Sequence, residues 1–197
     1  MKKLLMLIIG ISLLSVAGAQ STGTFTDQRD GNEYKWVEIG EQVWMAENLA
    51  WKPDDGLYWS YRNRDAYVEK YGYLYDWNSA QTVCPAGWRL PSYEDFKELL
   101  NHAGSRPALM LKAADGWQKN GNGTDQFGFA ALPGGKYAPA YGFDDGDLLG
   151  FWWTSTSYSG MQSPSARHLY MSPSLSFAEL NPAPMALGLS VRCIKTK

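Results

Sequence analysis

Residues 84–104 read CPAGWRLPSYEDFKELLNHAG, and this stretch predicts a turn, a short extended piece and the clearest helix of the chain. Extended backbone is expected before Pro91, because a proline disfavours the helical region in the residue that precedes it. Ser92 is a good N-cap, and Gly104 is a natural stop for the helix between them. The apolar stripe of this helix consists of Phe96, Leu99 and Leu100.

Upstream of this stretch, the alternating residues 33–46 predict an N-terminal hairpin with Gly40 at its turn. Residues 20–32 are polar and rich in Ser, Thr and Gly, so we expect a flexible lead. Residues 71–75 have the composition of a strand, and Asp76 can cap a short helix that follows them. The folded domain is therefore predicted to span residues 33–197.

Downstream, Pro107 favours the first turn of a second helix, which Gly116 ends. Helical periodicity is lost beyond Gly116, and the strand candidates are residues 127–132, 151–155, 167–171 and 187–194. A hairpin, two main helices and then short mixed or antiparallel strands with long loops predict an α+β fold.

The N-terminal residues 1–19 are typical of a signal peptide. Two lysines precede the apolar residues 4–16, which are too few to span a bilayer, and Ala-Gly-Ala at 17–19 favours cleavage before Gln20. A short membrane anchor is the alternative. Because no cysteine lies at the cut, a lipoprotein is not expected. We expect an exported protein, periplasmic or extracellular, whose mature chain has no membrane span.

The charge of the chain disfavours two classes of partner. The net charge falls from −2 to −4 when Lys2 and Lys3 are removed with the signal peptide. Nucleic acids and anionic membrane surfaces both require a basic patch, so we expect neither as a partner.

The two cysteines, Cys84 and Cys193, are predicted to form a disulfide, since an even number of cysteines in an oxidising compartment favours pairing. Two free thiols are the alternative. A zinc site is disfavoured, because His102 and His168 have no ligand spacing to each other or to the cysteines.

Several ordered motifs of this chain resemble the Fibrobacter succinogenes major paralogous domain family. An opening motif covers residues 27–49, and middle motifs read YGYLYDW at 71–77 and CPAGWRLP at 84–91. FWWTST at 151–156 and the closing SVRC at 190–193 also fit. The resemblance covers almost the whole of the chain after the signal peptide.

This resemblance implies a C-type-lectin-like fold, which is shared with the formylglycine-generating sulfatase-modifying enzymes. It also implies a bridge from the first helix to the last strand, as Cys84 and Cys193 would form. No activity is general to the family. The Glu-Pro-Asn, Gln-Pro-Asp and Trp-Asn-Asp tripeptides of calcium-dependent lectins are missing, so that mode of sugar binding is not implied.

Aromatic residues in predicted loops are candidates for stacking on a sugar ring. The alternative is core packing, which is the commoner fate of aromatic side chains. We expect the binding surface in the long loops of residues 116–165, because loops on a rigid scaffold usually carry recognition. The ligand-binding candidates are Tyr58, Trp59, Tyr61, Trp117 and Tyr141.

The acidic loop with Asp144, Asp145 and Asp147 has the oxygen-rich composition that calcium prefers. No glutamate follows at the spacing of an EF-hand, and a solvated acidic loop is the alternative. We expect no other cofactor.

Catalytic motifs are missing from the sequence, which has no Gly-x-Ser-x-Gly elbow, His-Glu-x-x-His helix or phosphate-binding glycine loop. Glu47 and Arg89 are interpreted as structural partners, with a salt bridge between them as one option. We therefore expect a non-catalytic exported module that binds a glycan or an envelope protein. The alternatives are an enzyme related to the formylglycine-generating proteins and a structural envelope component.

Overall fold

The computed structural model describes residues 20–197, and the signal peptide predicted at 1–19 lies outside them. Two main sheets, one small hairpin, two 3-10 helices (Tyr61–Asn63 and Asp65–Tyr67) and four α-helices form a mixed α+β structure in which strands predominate. The α-helices are α1 (Val68–Tyr71), α2 (Trp77–Ala80), α3 (Tyr93–Ala103) and α4 (Pro107–Leu111). None of the helices within residues 20–197 is long and apolar enough to cross a membrane.

The first sheet has five strands in the order β1-β2-β3-β13-β6. It consists of β1 (Thr22–Thr26), β2 (Glu33–Ile39), β3 (Gln42–Met45), β6 (Trp88–Arg89) and β13 (Ile194–Lys195). All of its neighbouring pairs are antiparallel. Because β13 pairs with β3, the two ends of the folded chain lie side by side.

The second sheet has six strands in the order β11-β10-β9-β12-β5-β4, and only the β12–β9 pair is parallel. Its strands are β4 (Tyr58–Trp59), β5 (Leu74–Tyr75), β9 (Gly150–Tyr158), β10 (Ser165–Met171), β11 (Glu179–Pro184) and β12 (Leu189–Ser190). A separate hairpin pairs β7 (Lys136–Ala138) with β8 (Gly142–Asp144).

Helix α3 begins and ends where the sequence predicts. The Ser92 side chain accepts a hydrogen bond from the main chain of Asp95, and the Asp95 carboxylate accepts one in return from the Ser92 main chain. This reciprocal capping box satisfies two amides at the helix start that would otherwise lack partners. Gly104 ends the helix with a φ of 81°, which favours glycine.

The N-terminal hairpin is confirmed, but the flexible lead is wrong. Thr22–Thr26 forms strand β1 and pairs with β2, which begins at Glu33. The cause is a tertiary contact, because the ring of Phe25 stacks on Trp88 at 4.5 Å and on Tyr34 at 5.6 Å. The alternating threonines around Phe25 are the strand signal in the sequence.

The strands bury side chains on both faces, against two separate core clusters. On β2, Val37 packs in the first cluster and Tyr34 in the second. On β9, the fully buried Trp152 belongs to the first and Trp153 to the second. Adjacent strand residues point to opposite faces, so each strand connects the two clusters.

Other strand predictions are corrected by the structure. Residues 127–132 form a loop instead of a strand, and residues 187–194 are split between β12 and β13. The sequence does not predict strand β11, because this strand contains two prolines and prolines are excluded from the interior of a sheet. It lies at a sheet edge, where prolines are tolerated.

The predicted disulfide between Cys84 and Cys193 is confirmed, and it joins residues 109 positions apart. Cys84 lies in the loop between α2 and β6, and Cys193 lies directly before β13. The bridge therefore fixes the end of the chain beside the middle of the fold.

Replacing both cysteines by serine should lower the free energy of unfolding by about 4 to 5 kcal/mol, because a long closed loop loses its constraint in the unfolded state. Urea denaturation of the variant and of the oxidised protein measures this difference. The protein treated with a reductant is the matched control and should behave like the variant. Equal stability of all three samples would contradict the prediction.

His168 on β10 makes the stability depend on pH. Burial lowers its pKa from 6.5 to about 4, and the rings of Phe151 and Trp153 lie 5.8 and 6.2 Å from it. Below pH 6.5 His168 binds a proton in the unfolded state, whereas in the folded state it stays neutral until the pH approaches 4. Stability should therefore fall by about 3 kcal/mol between pH 6.5 and pH 4. Denaturation of His168→Gln across this range should lack that part of the slope.

Candidate functional site

A buried amide, Asn48, is the centre of the polar network in the molecule. Its Nδ2 donates to the main-chain oxygen of Tyr71 at 2.9 Å and to Ser190 Oγ at 3.4 Å. Its Oδ1 accepts from Trp152 Nε1 at 2.8 Å and from the Nε and Nη2 atoms of Arg192 at 3.2 and 2.8 Å. These five residues are called the Asn48 hub below.

The guanidinium of Arg192 is a buried charge held by uncharged acceptors. Besides Asn48, it donates to the main-chain oxygens of Phe129 and of Ala130, the latter at 3.3 Å. It also lies 4.5 Å from the centre of the Phe129 ring. Burial lowers the pKa of Arg192, and the negative charges of Asp125 and Glu47 oppose this shift.

The loop of residues 125–130 is bent around this arginine. Asp125, Gly128 and Ala130 all have positive φ, at 46°, 63° and 49°. The Ala130 amide donates to Asp125 Oδ1 at 2.7 Å and thereby closes the loop. Burial raises the pKa of Asp125, although Arg192 acts in the opposite direction. Left-handed backbone at non-glycine residues costs free energy, and such strain is concentrated at functional sites.

A cavity of about 420 Å³ opens beside the loop, and we call it the Arg192 cavity. Its wall carries both signs of charge, with Lys35, Lys70 and Arg192 against Glu47, Glu69 and Asp125. Lys35 pairs with Glu47 at 3.8 Å, and Lys70 pairs with Asp147 at 3.5 Å. The rest of the lining is Ala46, Asn48, Gly72, Gly128, Ala130 and Leu132.

Two further cavities follow in series with the Arg192 cavity, each sharing lining residues with the one before it, and we call the three together the groove. The Tyr73 cavity, of about 460 Å³, shares Glu47, Asn48 and Glu69 with the Arg192 cavity. The Trp51 cavity, of about 480 Å³, shares Asn32 and Ala50 with the Tyr73 cavity. The other linings are Glu33, Tyr34, Val68 and Tyr73 in the former and Arg29, Asp30, Trp51, Lys52 and Asp54 in the latter.

Trp51 forms an aromatic wall at one end of the groove. One face of its indole ring is covered by the guanidinium of Arg29, which lies 3.8 Å from the ring centre. Arg29 is held in place by a salt bridge of 2.6 Å to the buried Asp27. The main-chain oxygen of Trp51 accepts a hydrogen bond from Tyr75 Oη at 2.6 Å. These contacts fix the orientation of the ring.

For two of the five aromatic candidates, the prediction that the ring is exposed and can stack on a sugar is wrong. Tyr61 is only 4% exposed and Trp117 only 5%. The Gly146 amide donates to Tyr61 Oη at 2.9 Å, and Trp117 Nε1 donates to the main-chain oxygen of Ala131 at 2.8 Å. Both rings pack in the interior and satisfy their polar atoms there, as buried Tyr and Trp usually do.

The other three candidates do not share packing partners. Tyr58 and Trp59 are half-buried in strand β4, not in a loop. Trp59 stacks on Tyr137 at 4.1 Å, and Tyr58 packs edge-on against Tyr73 at 5.2 Å, at the margin of the groove. Tyr141, at the tip of the β7–β8 hairpin, is 90% exposed.

The three aspartates predicted to bind calcium are engaged separately. Asp145 pairs with Lys136, and Asp147 accepts from Tyr71 Oη and pairs with Lys70, while Asp144 is exposed at the end of β8. Within residues 20–197, no group of three or more His, Cys, Asp or Glu side chains could hold a metal ion. The structure therefore gives the three carboxylates separate partners, and it does not gather them into one set of ligands.

The proposed pairing of Glu47 with Arg89 is also wrong. Arg89 forms a two-pronged salt bridge with Asp95 at 2.6 and 2.8 Å, and Glu47 pairs with Lys35. The groove itself was missed, because the sequence pointed to the loops of residues 116–165. Glu47, Asn48 and Arg192 nevertheless lie within the motifs that resemble the family. The position of Arg192 directly beside a cysteine was the available sequence signal for its burial.

Comparison with known proteins gives one result. The family model described as the Fibrobacter succinogenes major domain matches residues 37–195, which include the whole Asn48 hub and most of the groove. No curated protein matches the chain, and no solved structure does.

Replacing Asn48 by alanine should destabilise the fold by about 3 to 5 kcal/mol, because Trp152 Nε1 and the buried Arg192 charge lose an acceptor. Asn78→Ala, at an exposed asparagine of α2, is the matched control and should change stability by less than about 1 kcal/mol. Urea denaturation measures both variants. Equal losses for the two substitutions would show that the hub is not the support inferred from its hydrogen bonds.

Proposed function

The chain belongs to the Fibrobacter succinogenes major domain family, and from its groove we propose that it is an exported, non-catalytic module that binds a glycan. The family description names no activity, so the proposal rests on the chemistry of this chain. The observation that carries it is a groove of three adjoining cavities, whose lining includes aromatic and polar residues.

The groove offers the groups that a sugar requires. Carboxylates and amides, such as Glu69 and Asn32, accept and donate hydrogen bonds to hydroxyl groups. The rings of Trp51 and Tyr73 provide flat apolar surface for the C–H face of a sugar. Each cavity has the volume that is typical of small-molecule sites, and three in series suit a short oligosaccharide.

The floor of the groove is rigid, which favours binding. Asn48 lines two of the three cavities and is 7% exposed. All of its side-chain polar atoms are committed to the hub. A site that is already ordered loses little conformational entropy when the ligand binds, so more of the contact energy appears as affinity.

A C-type-lectin-like arrangement is part of the same proposal. The resemblance implies a bridge between the first helix and the last strand, and the observed disulfide joins the loop after α2 to the residue before β13. Two main helices, α3 and α4, and long connections between the later strands are in keeping with that arrangement.

Export to the periplasm or beyond the cell is supported by the disulfide, since such bridges persist in oxidising compartments. The same bridge weighs against the alternative of an enzyme related to the formylglycine-generating proteins. That chemistry needs thiols to bind copper, and the sequence has two cysteines, both in the bridge.

A glycan array with the purified exported protein tests the proposal. Trp51→Ala and Glu69→Gln should each weaken binding of the best ligand by about tenfold, the equivalent of about 1.4 kcal/mol. Tyr141→Ala and Glu98→Gln are the matched controls, because both residues are exposed and neither lines the groove. The controls should bind as the unchanged protein does.

Each outcome of the array is decisive. Binding that the groove variants weaken and the controls retain supports the proposed function. Binding that is lost only with Tyr141→Ala moves the site to the β7–β8 hairpin. If no glycan binds, the glycan proposal is overturned, and a protein partner captured from envelope extract becomes the next hypothesis.

A further inference from the structure

We propose that the Tyr73 cavity, the middle section of the groove, selects sugars that carry a free amino group. This inference rests on the proposed function and names the class of ligand for the same site. A protonated hexosamine combines a cation with an apolar ring face, and the cavity offers a complement to both features.

The charges that line this cavity have one sign. The charged residues of its lining are Glu33, Glu47 and Glu69, of which Glu33 and Glu69 are exposed, and no lysine, arginine or histidine of residues 20–197 is among the lining residues. The neighbouring Arg192 cavity is balanced by comparison, with equal numbers of acidic and basic side chains. The preference for a cation is therefore specific to the middle of the groove.

The nearby cations are already engaged. Lys70 pairs with Asp147, and Arg29 pairs with Asp27. Lys35 lies 3.8 Å from Glu47, which also accepts a hydrogen bond from the Lys35 main chain at 2.9 Å. Within the described chain, the carboxylates of Glu33 and Glu69 take part in no ion pair or hydrogen bond, so they remain open to a ligand cation.

The cavity also has an uncharged wall that a simple ion would not require. Tyr73 is half-buried and held by the edge-on ring of Tyr58 at 5.2 Å, and Val68 lies beside it in the lining. Burial raises the pKa of Tyr73 above its ordinary value, which already lies well above physiological pH, so its hydroxyl is neutral. Asn48, fixed by the hub, closes the cavity with an oriented amide.

These features rank the classes of sugar. An ammonium gains attraction from the carboxylates and from the aromatic face, to which cations are also drawn. An N-acetylated sugar of the same skeleton has lost that charge and keeps only the ring and hydroxyl contacts. A uronic acid is repelled, because its carboxylate would face three others at short range.

Calorimetric titration with matched oligosaccharides tests this ranking. A glucosamine oligosaccharide should bind at least about tenfold more tightly than its N-acetylated counterpart, and an oligogalacturonate should bind most weakly. The advantage of the amine should shrink when salt is raised from about 0.01 to about 1 M, because the screening length falls from about 30 to about 3 Å.

Variants separate the cavity from the general acidity of the protein. Glu69→Gln should remove most of the preference for the amine, because it should weaken binding of the amine more than binding of the N-acetylated sugar. Glu98→Gln, on the exposed face of α3, makes the same change in net charge and should keep the full preference. Equal effects of the two variants would overturn the inference.

The remaining outcomes distinguish this inference from the proposed function. Tighter binding of the N-acetylated or the acidic sugar overturns the selectivity for an amine and leaves glycan binding intact. Spermine that displaces the glucosamine oligosaccharide at equal concentration also overturns it, because the cavity would then recognise charge without the sugar. If none of the three oligosaccharides binds, the proposed function itself fails.

Discussion

The buried charge of Arg192 is the constraint on which the rest of the structure depends. A guanidinium that is removed from water must have its N–H groups satisfied, or the fold loses several kcal/mol. Here the acceptors are the amide of Asn48 and the carbonyls of Phe129 and Ala130, not a carboxylate. Each acceptor is distant in sequence from Arg192, so this one charge fixes several segments of the chain relative to one another.

The consequences reach both core clusters. Trp152 of the first cluster donates to Asn48, and the Tyr71 carbonyl that accepts from Asn48 lies just before strand β5, whose Tyr75 belongs to the second cluster. Cys193 follows Arg192, so the disulfide and the buried charge fix the same few residues. The backbone strain of the left-handed residues in the 125–130 loop is tolerated because this anchoring fixes their conformation.

Local signals in the sequence predicted what local physics determines. The cap at Ser92, the turn at Gly40 and the pairing of the cysteines all depend on short-range chemistry or on compartment, and the structure has all three. Burial of a given aromatic ring depends on distant residues. Tyr61 meets Gly146, and Trp117 meets Ala131, so no pattern around either ring could show that it lies inside. The same holds for residues 127–132. Their composition is typical of a strand, but they form a loop whose carbonyls accept hydrogen bonds from Arg192.

The groove lies beside the hub for a geometric reason. Glu47 and Asn48 are adjacent in the bend that follows strand β3, and their side chains have different partners. Asn48 turns inward to Arg192 and Trp152, while Glu47 reaches Lys35 and the groove. The residue at the centre of the hub is thus directly adjacent in sequence to a charged residue of the groove. Changes at Glu47, Glu33 or Glu69 alter the charge of the groove without removing a hydrogen bond of the hub, so the charge of the groove can vary while the hub stays intact.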